Sequence, residues 1–259
     1  MPTFVMCTKD PASIKIGEYL IENYFEKTDK TFRERPVFKY KNADLIVIDT
    51  EHIYADWLAD EYPSDLYIVL SRHSSKSGEP TLTVHTTGNW GDALYGGQSR
   101  TLSIAPAQHM LSALEEINKR AIPGFSVSYE VTHHGPTLNT PIMFVEVGST
   151  EEQWENEEAA AVIGEAAIAA LQPKDVPTAI GIGGGHYAPR FTKIALKKGV
   201  AFGHMIPKYA FPFIDEHMVR QAIEKTLPRP KYYALHGVKD DMLEMVEAIT
   251  EEYGLKQVK

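Results

Sequence analysis

TFVMCTKDPASIKIGEYLIENY, residues 3–24, is an apolar strand followed by a capped helix. Thr3 to Thr8 has the short, uncharged character of a buried strand, and Asp10-Pro11 supplies an N-cap and a first-turn proline for a helix to about Tyr24. The alternation recurs along the chain. Leu45-Ile46-Val47-Ile48 and Leu66-Tyr67-Ile68-Val69-Leu70 read as interior strands on either side of a short helix around Ile53 to Asp60. Thr81 to Thr86 and Phe125 to Thr132 alternate, Pro106 to Arg120 has helical spacing, Ile142 to Val147 is a strand, and Glu151 to Leu171 reads as one Ala-rich helix. Thr178 to Ile182, Val200 to Ile206 and Tyr232 to Leu235 are further strands, separated by helices at Arg190 to Lys198 and Asp215 to Thr226 and closed by one at Asp240 to Glu252. Strands alternating with helices predict an α/β protein, a three-layer sandwich around a largely parallel mixed sheet, with residues 1–259 as a single domain.

The chain has 43% hydrophobic and 24% charged residues, enough apolar surface to fold without long disordered stretches. The N-terminus lacks a basic leader, and no apolar run reaches the roughly 18 residues of a membrane span, so a cytoplasmic protein with no membrane partner is expected. Cys7 is alone, which excludes an internal disulfide and suits a small core residue at a strand end. The net charge of −9 argues against indiscriminate nucleic-acid binding. It is unevenly placed: Glu146 to Asp175 carries eight acids and one lysine, whereas His186 to Lys239 carries ten Lys or Arg and three acids. The basic segment suits one defined polyanion; the same charges also suit solvated helix faces that neutralise the acidic segment. A monomer is the default expectation.

Polar residues cluster where predicted strands end, at Ser71-Arg72-His73, His85 to Asn89, Thr132-His133-His134-Gly135-Pro136 and Gly183 to Arg190. In open α/β sheets such loops converge on a ligand crevice. Histidine serves both as general base and as zinc ligand, so Thr132-His133-His134-Gly135 is the strongest chemical signal. Neighbours on a strand face opposite ways. Both histidines therefore reach one ion only where the strand has already turned, as Gly135-Pro136 allows; otherwise one is functional and the other bonds the backbone. Glu146 is the best carboxylate partner; a surface glutamate without a role is the alternative. Glycines 183–185 permit positive φ and close approach, so their amides can meet an oxyanion beside His186. That loop matches neither Walker A nor a dinucleotide fingerprint, and no dinucleotide cofactor is expected. No Gly-x-Ser-x-Gly, His-Glu-x-x-His or Cys-rich zinc motif occurs. His52 and His109 lie in predicted helices and read as packing residues; His217 and His236 are only slightly better candidates.

Ser71-Arg72-His73, Thr83 to Asn89, Thr132 to Pro136, Phe144-Val145-Glu146-Val147-Gly148-Ser149, Gly183 to Arg190 and Gly203-His204-Met205-Ile206-Pro207-Lys208-Tyr209 occur in an order that resembles the archaeal and plant D-aminoacyl-tRNA deacylases. The resemblance implies a phosphorylase/hydrolase-like α/β fold, an esterase that frees tRNA from D-amino acids, and zinc as cofactor. It places metal ligation among His85, His133, His134 and Glu146. His133 and His186 are then the acid-base candidates, with Arg72 and the Gly184 and Gly185 amides at the oxyanion. Lys193, Lys197, Lys198, Lys208 and His204 are the candidate tRNA contacts. A metal-dependent peptidase, amidohydrolase or nucleoside-processing enzyme on the same fold is the alternative enzyme, and a non-catalytic tRNA-binding protein the alternative of another class.

Overall fold

The computed structural model describes residues 1–259. Eight strands form the larger sheet: β1 (Pro2–Cys7), β2 (Glu26–Phe32), β3 (Arg35–Tyr40), β4 (Ala43–Ile48), β5 (Leu66–Ser74), β6 (Thr81–His85), β7 (Ser126–Tyr129) and β8 (Ile142–Ser149). Their order is β7-β6-β8-β5-β1-β4-β3-β2. The centre, β8-β5-β1-β4, is parallel, whereas β6 runs antiparallel to β8 and the β2–β3 hairpin is antiparallel to β4. A second, all-parallel sheet contains β9 (Thr178–Gly183), β10 (Ala201–Ile206), β11 (Tyr232–His236) and β12 (Lys256–Gln257), in the order β10-β9-β11-β12. The α/β class read from the sequence holds. The strands are divided between two sheets rather than gathered in one.

The apolar runs are continuous because both faces of the larger sheet are covered. Phe4, Leu45, Ile68 and Leu82 face α1 (Pro11–Asn23), α2 (Ala107–Lys119) and α3 (Glu157–Ala169), while Val5, Ile46, Tyr67 and Phe144 face Ala55, Leu58 and Leu138. Phe191 and Ile194 of α4 (Pro189–Lys198), and Phe202 and Met205 of β10, join the first of these clusters, so the two sheets share a core. The far side of the smaller sheet is covered by α5 (Glu216–Glu224) and α6 (Asp240–Glu252). No helix is long and apolar enough to cross a membrane. Cys7 is buried, with its thiol 3.3 Å from the Thr50 carbonyl, and burial raises its pKa.

Asp10 caps α1 through the Ser13 amide at 2.9 Å, and Pro11 occupies its first turn, as the sequence predicts. The Ala-rich helix differs. Asn156 accepts from the Ala159 amide at 2.8 Å and starts a new helix, so Glu151–Trp154 is a separate turn. The β2–β3 hairpin was not expected from any apolar run.

Candidate active site

Strands β1, β4, β5 and β8 point their C-terminal ends toward one side, where the smaller sheet's Gly183-to-Tyr187 loop meets them. A cavity of about 880 Å³ opens there, lined among others by Asp10, Arg72, His73, His133, His134, Glu146, His186 and Tyr187. Five of the ten histidines converge on its floor with two glutamates. His73 lies at the end of β5, His85 at the end of β6, and Glu146 within β8, in register with Ser71 and Thr83. Glu130, His133 and His134 follow β7.

The chain turns where the two adjacent histidines need it to. His133 pairs with Thr87 in an isolated bridge, and His134 then takes a left-handed φ of 42°, which brings the two rings to 4.3 Å on one side. Gly135 is required by close approach: a Cβ there would lie 2.3 Å from the Gly97 nitrogen and 2.4 Å from the Ile53 carbonyl oxygen.

Three imidazoles have their tautomers fixed by the backbone. His85 Nδ1 lies 3.0 Å from the Thr86 carbonyl, His133 Nδ1 2.8 Å from Val131, and His134 Nδ1 2.6 Å from Gly135. A carbonyl only accepts, so each Nδ1 carries a proton, and in the neutral ring Nε2 is the nitrogen with the lone pair. One ligand atom from each of these three residues lies within 4.8 Å of the others, and the same holds for His85, Glu130 and Glu146 and for His73, Glu130 and His186. His85 Nε2 and Glu130 Oε1 are buried without a hydrogen-bond partner. Imidazole nitrogens and carboxylate oxygens of this kind are a donor set for a divalent ion such as zinc.

Burial opposes every charge here, yet the two carboxylates stay ionised. Glu146 sits 3.5 Å from His85 Nε2 and 3.7 Å from His73 Nδ1, and the opposing charge of His85 with the nearby His73 ring holds its pKa down to about 2. Glu130 bonds His186 Nε2 at 2.7 Å and faces His73 Nδ1 at 3.1 Å, and it too lies well below the usual range. Against the same burial, His73 is pushed up to about 11 by Glu130 and Glu146, and His85 is raised by Glu146. Burial and neighbouring histidines lower His133 and bring His134 down to about 4. Cations, whether protons or a metal, are drawn to the carboxylate side of the cluster.

The remaining predicted site residues are distributed unevenly. Arg72 lines the cavity, its guanidinium 3.2 Å from the Lys9 carbonyl and 3.5 Å from Glu51. Gly183 and Gly184 have positive φ as expected, but the Gly184 amide already donates to the His236 carbonyl at 3.0 Å, which leaves it unavailable to an oxyanion. Gly185 is exposed and its amide has no backbone acceptor. His204 is fully buried beneath the cluster, with Nε2 3.0 Å from the Ser103 carbonyl and Nδ1 3.0 Å from the Thr132 hydroxyl; it positions the His133 segment and cannot touch a substrate. Lys193, Lys197 and Lys198 are exposed on α4, outside the cavity lining, and Lys208 is exposed beside the cavity residue Tyr209. Glu130 is the member that sequence reasoning passed over, while His73 and Tyr187 lie in the motifs it singled out but received no role there; the Tyr187 hydroxyl lies 3.0 Å from His73 Nε2.

The family described as D-aminoacyl-tRNA deacylase matches residues 60–258. The chain is 42% identical to the D-aminoacyl-tRNA deacylase of Thermococcus kodakarensis, over 98% of both chains. It is 39% identical to that of Methanosarcina acetivorans, over 83% of this chain and 75% of the relative. A solved conserved protein of unknown function, AF0625, superposes with a TM-score of 0.90 at 33% identity, covering 99% of this chain and 94% of that one.

Proposed function

Because the chain belongs to the D-aminoacyl-tRNA deacylase family and hydrolyses the ester of D-aminoacyl-tRNA, we propose that its histidine–glutamate cluster is the reaction centre and that zinc is its metal. The observation that carries this reading is the set of backbone-fixed imidazoles, His85, His133 and His134, with bare Nε2 atoms beside the buried carboxylate of Glu146. These four residues would hold the ion, which when bound supplies a Lewis acid and lowers the pKa of water.

The substrate ester joins an amino-acid carbonyl to a ribose hydroxyl of the terminal adenosine. Water adds to that carbonyl, a tetrahedral oxyanion forms, and the ribose oxygen leaves with a proton. His186 suits the proton transfers: Glu130 accepts from its Nε2 at 2.7 Å, which leaves Nδ1 as the free base, and the ring is open enough to meet a ligand. Glu130 orients the ring and stabilises it once protonated. Arg72, which lines the cavity, and the Gly185 amide, which has no backbone acceptor, are the candidate donors to the oxyanion. Lys208, beside the cavity residue Tyr209, and the exposed Lys193, Lys197 and Lys198 of α4, outside the cavity lining, would follow the acceptor stem.

The test is release of amino acid from D-Tyr-tRNA and L-Tyr-tRNA by the protein as isolated, after chelation, and after zinc is restored. Chelator-sensitive release from the D-ester, recovered with zinc, is expected. Release that persists unchanged in a protein shown to be metal-free removes zinc from the reading.

A further inference from the structure

Four of the large apolar side chains left in water stand at one place, the mouth of the reaction cavity: Leu94, Tyr95, Tyr209 and Phe213, at 77, 66, 55 and 49% exposure. They are held firmly. Gly88–Asn89 and Thr101–Leu102 pair as a small hairpin that frames residues 90–100. Within it the Arg100 amide donates to the Gly91 carbonyl at 2.8 Å, and the Asn89 side chain donates to the Gly96 carbonyl at 2.9 Å. The Tyr95 carbonyl accepts the Gly135 amide at 2.9 Å, directly beside His134. Phe213 packs on Gly91, where a Cβ would lie 2.8 Å from its ring, and its carbonyl accepts from Arg100 at 2.6 Å. Tyr209 follows Lys208, whose amide donates to the Gly184 carbonyl at 3.0 Å.

Three rings from two segments, Tyr95 in residues 90–100 and Tyr209 and Phe213 in the turn Lys208–Phe213, are thus displayed to solvent on fixed backbone around the opening. Aromatic rings in such a setting are platforms for flat π-systems, and every nucleobase has a π-face. The occupant follows from what must lie on the floor. If the scissile ester reaches the histidine–glutamate cluster, its ribose lies just above, and the base on that ribose must sit at the mouth. A volume of about 880 Å³ suits a ligand the size of an aminoacyl nucleoside. We infer that Tyr95, Tyr209 and Phe213 form a stacking site for the unpaired 3′-terminal bases of the tRNA, the terminal adenine above all. This inference rests on the reading of the cluster as a tRNA-ester hydrolase.

The test uses the full chain and an uncharged tRNA acceptor-end RNA whose terminal adenine is replaced by fluorescent 2-aminopurine, with D-Tyr-tRNA hydrolysis measured in parallel. Binding is expected to quench the fluorescence. Tyr95→Ala, Tyr209→Ala and Phe213→Ala should each weaken binding about tenfold and reduce the quench, without altering the salt dependence, whereas Tyr209→Phe should keep both. Tyr95 and Tyr209 are mostly exposed, so the melting temperatures of their variants should be unchanged, whereas Phe213, which also packs on Gly91, is judged against its own melting temperature. Hydrolysis by the unaltered protein without any quench, or equal quench in all variants, overturns the stacking site and leaves the deacylase reading standing. Quench without hydrolysis overturns only that reading. Variants that instead abolish a dimer in sedimentation assign the rim to self-association and overturn the inference.

Discussion

Glu130 Oε2 lies 2.7 Å from His186 Nε2 and 3.6 Å from His133 Nε2, while Oε1 faces His73 Nδ1 at 3.1 Å, so one fully buried carboxylate serves three imidazoles. Glu130→Gln preserves the shape and deletes the charge. Turnover of D-Tyr-tRNA is expected to fall about a hundredfold or more, as it should for His186→Ala, with KM little changed. Near-normal turnover in either variant excludes that residue from proton transfer. His204 offers a separate test, because burial brings its pKa down to about 3 from 6.5. The unfolded chain then takes up the proton first. The stability due to neutral His204 is therefore intact above pH 6.5 and is lost at about 1.4 kcal/mol per unit as pH falls below it. The stability gap between the unaltered protein and His204→Gln, from denaturant midpoints, should shrink between pH 7.5 and 5; a constant gap contradicts the assignment. At this scale the sequence was half legible. His85, His133, His134, Glu146 and His186 were singled out, the histidines because they sit at strand ends beside turns and Glu146 because it precedes Gly148-Ser149-Thr150, and they do meet. Glu130 was hidden on the polar face of an alternating strand, where Ser126, Ser128 and Thr132 read as solvent-facing, and only tertiary packing shows that this face is closed by the second sheet.

The turn at His133–His134 depends on Gly135, whose absent Cβ would meet backbone atoms of Gly97 and Ile53 that have no rotamer to yield. Gly135→Ala is expected to cost about 1–3 kcal/mol of stability and to weaken metal retention, read by calorimetry and metal analysis. An alanine protein with native melting and metal content refutes that account of the turn. Helix α4 carries the next expectation. Lys193, Lys197 and Lys198 are exposed on it, and Gly199 ends it with a φ of 63°. Replacing the three lysines by glutamine should reduce the slope of log affinity for tRNA against log salt by about one for each phosphate no longer neutralised. An unchanged slope moves the tRNA off this helix. The main elements were legible because apolar runs and caps such as Asp10-Pro11 are local. The β2–β3 hairpin was not: its outer strand is mostly exposed, and its turn uses Arg33 and Glu34 at positive φ, without the Asn-Gly or Asp-Gly that announces such turns.

The two sheets share one apolar core across α2, and the cluster lies at their seam, tied by the Glu130–Tyr187 bridge. Acid unfolding is accordingly expected in a single step, with tryptophan fluorescence and far-ultraviolet circular dichroism changing together; separated midpoints would show that the sheets are independent. Alternation of strands and helices disclosed the layers but not their division, because nothing in a strand's own composition states which neighbour it will pair with. That pairing has a further consequence for synthesis. β8 lies between β5 and β6, so the larger sheet cannot be completed until residues 142–149 have emerged from the ribosome. His186, the proposed base, and the partner it gives Glu130 arrive later still. A nascent chain, formed among the very tRNAs on which the finished enzyme acts, therefore lacks the Glu130–His186 pair until its second sheet has begun to form.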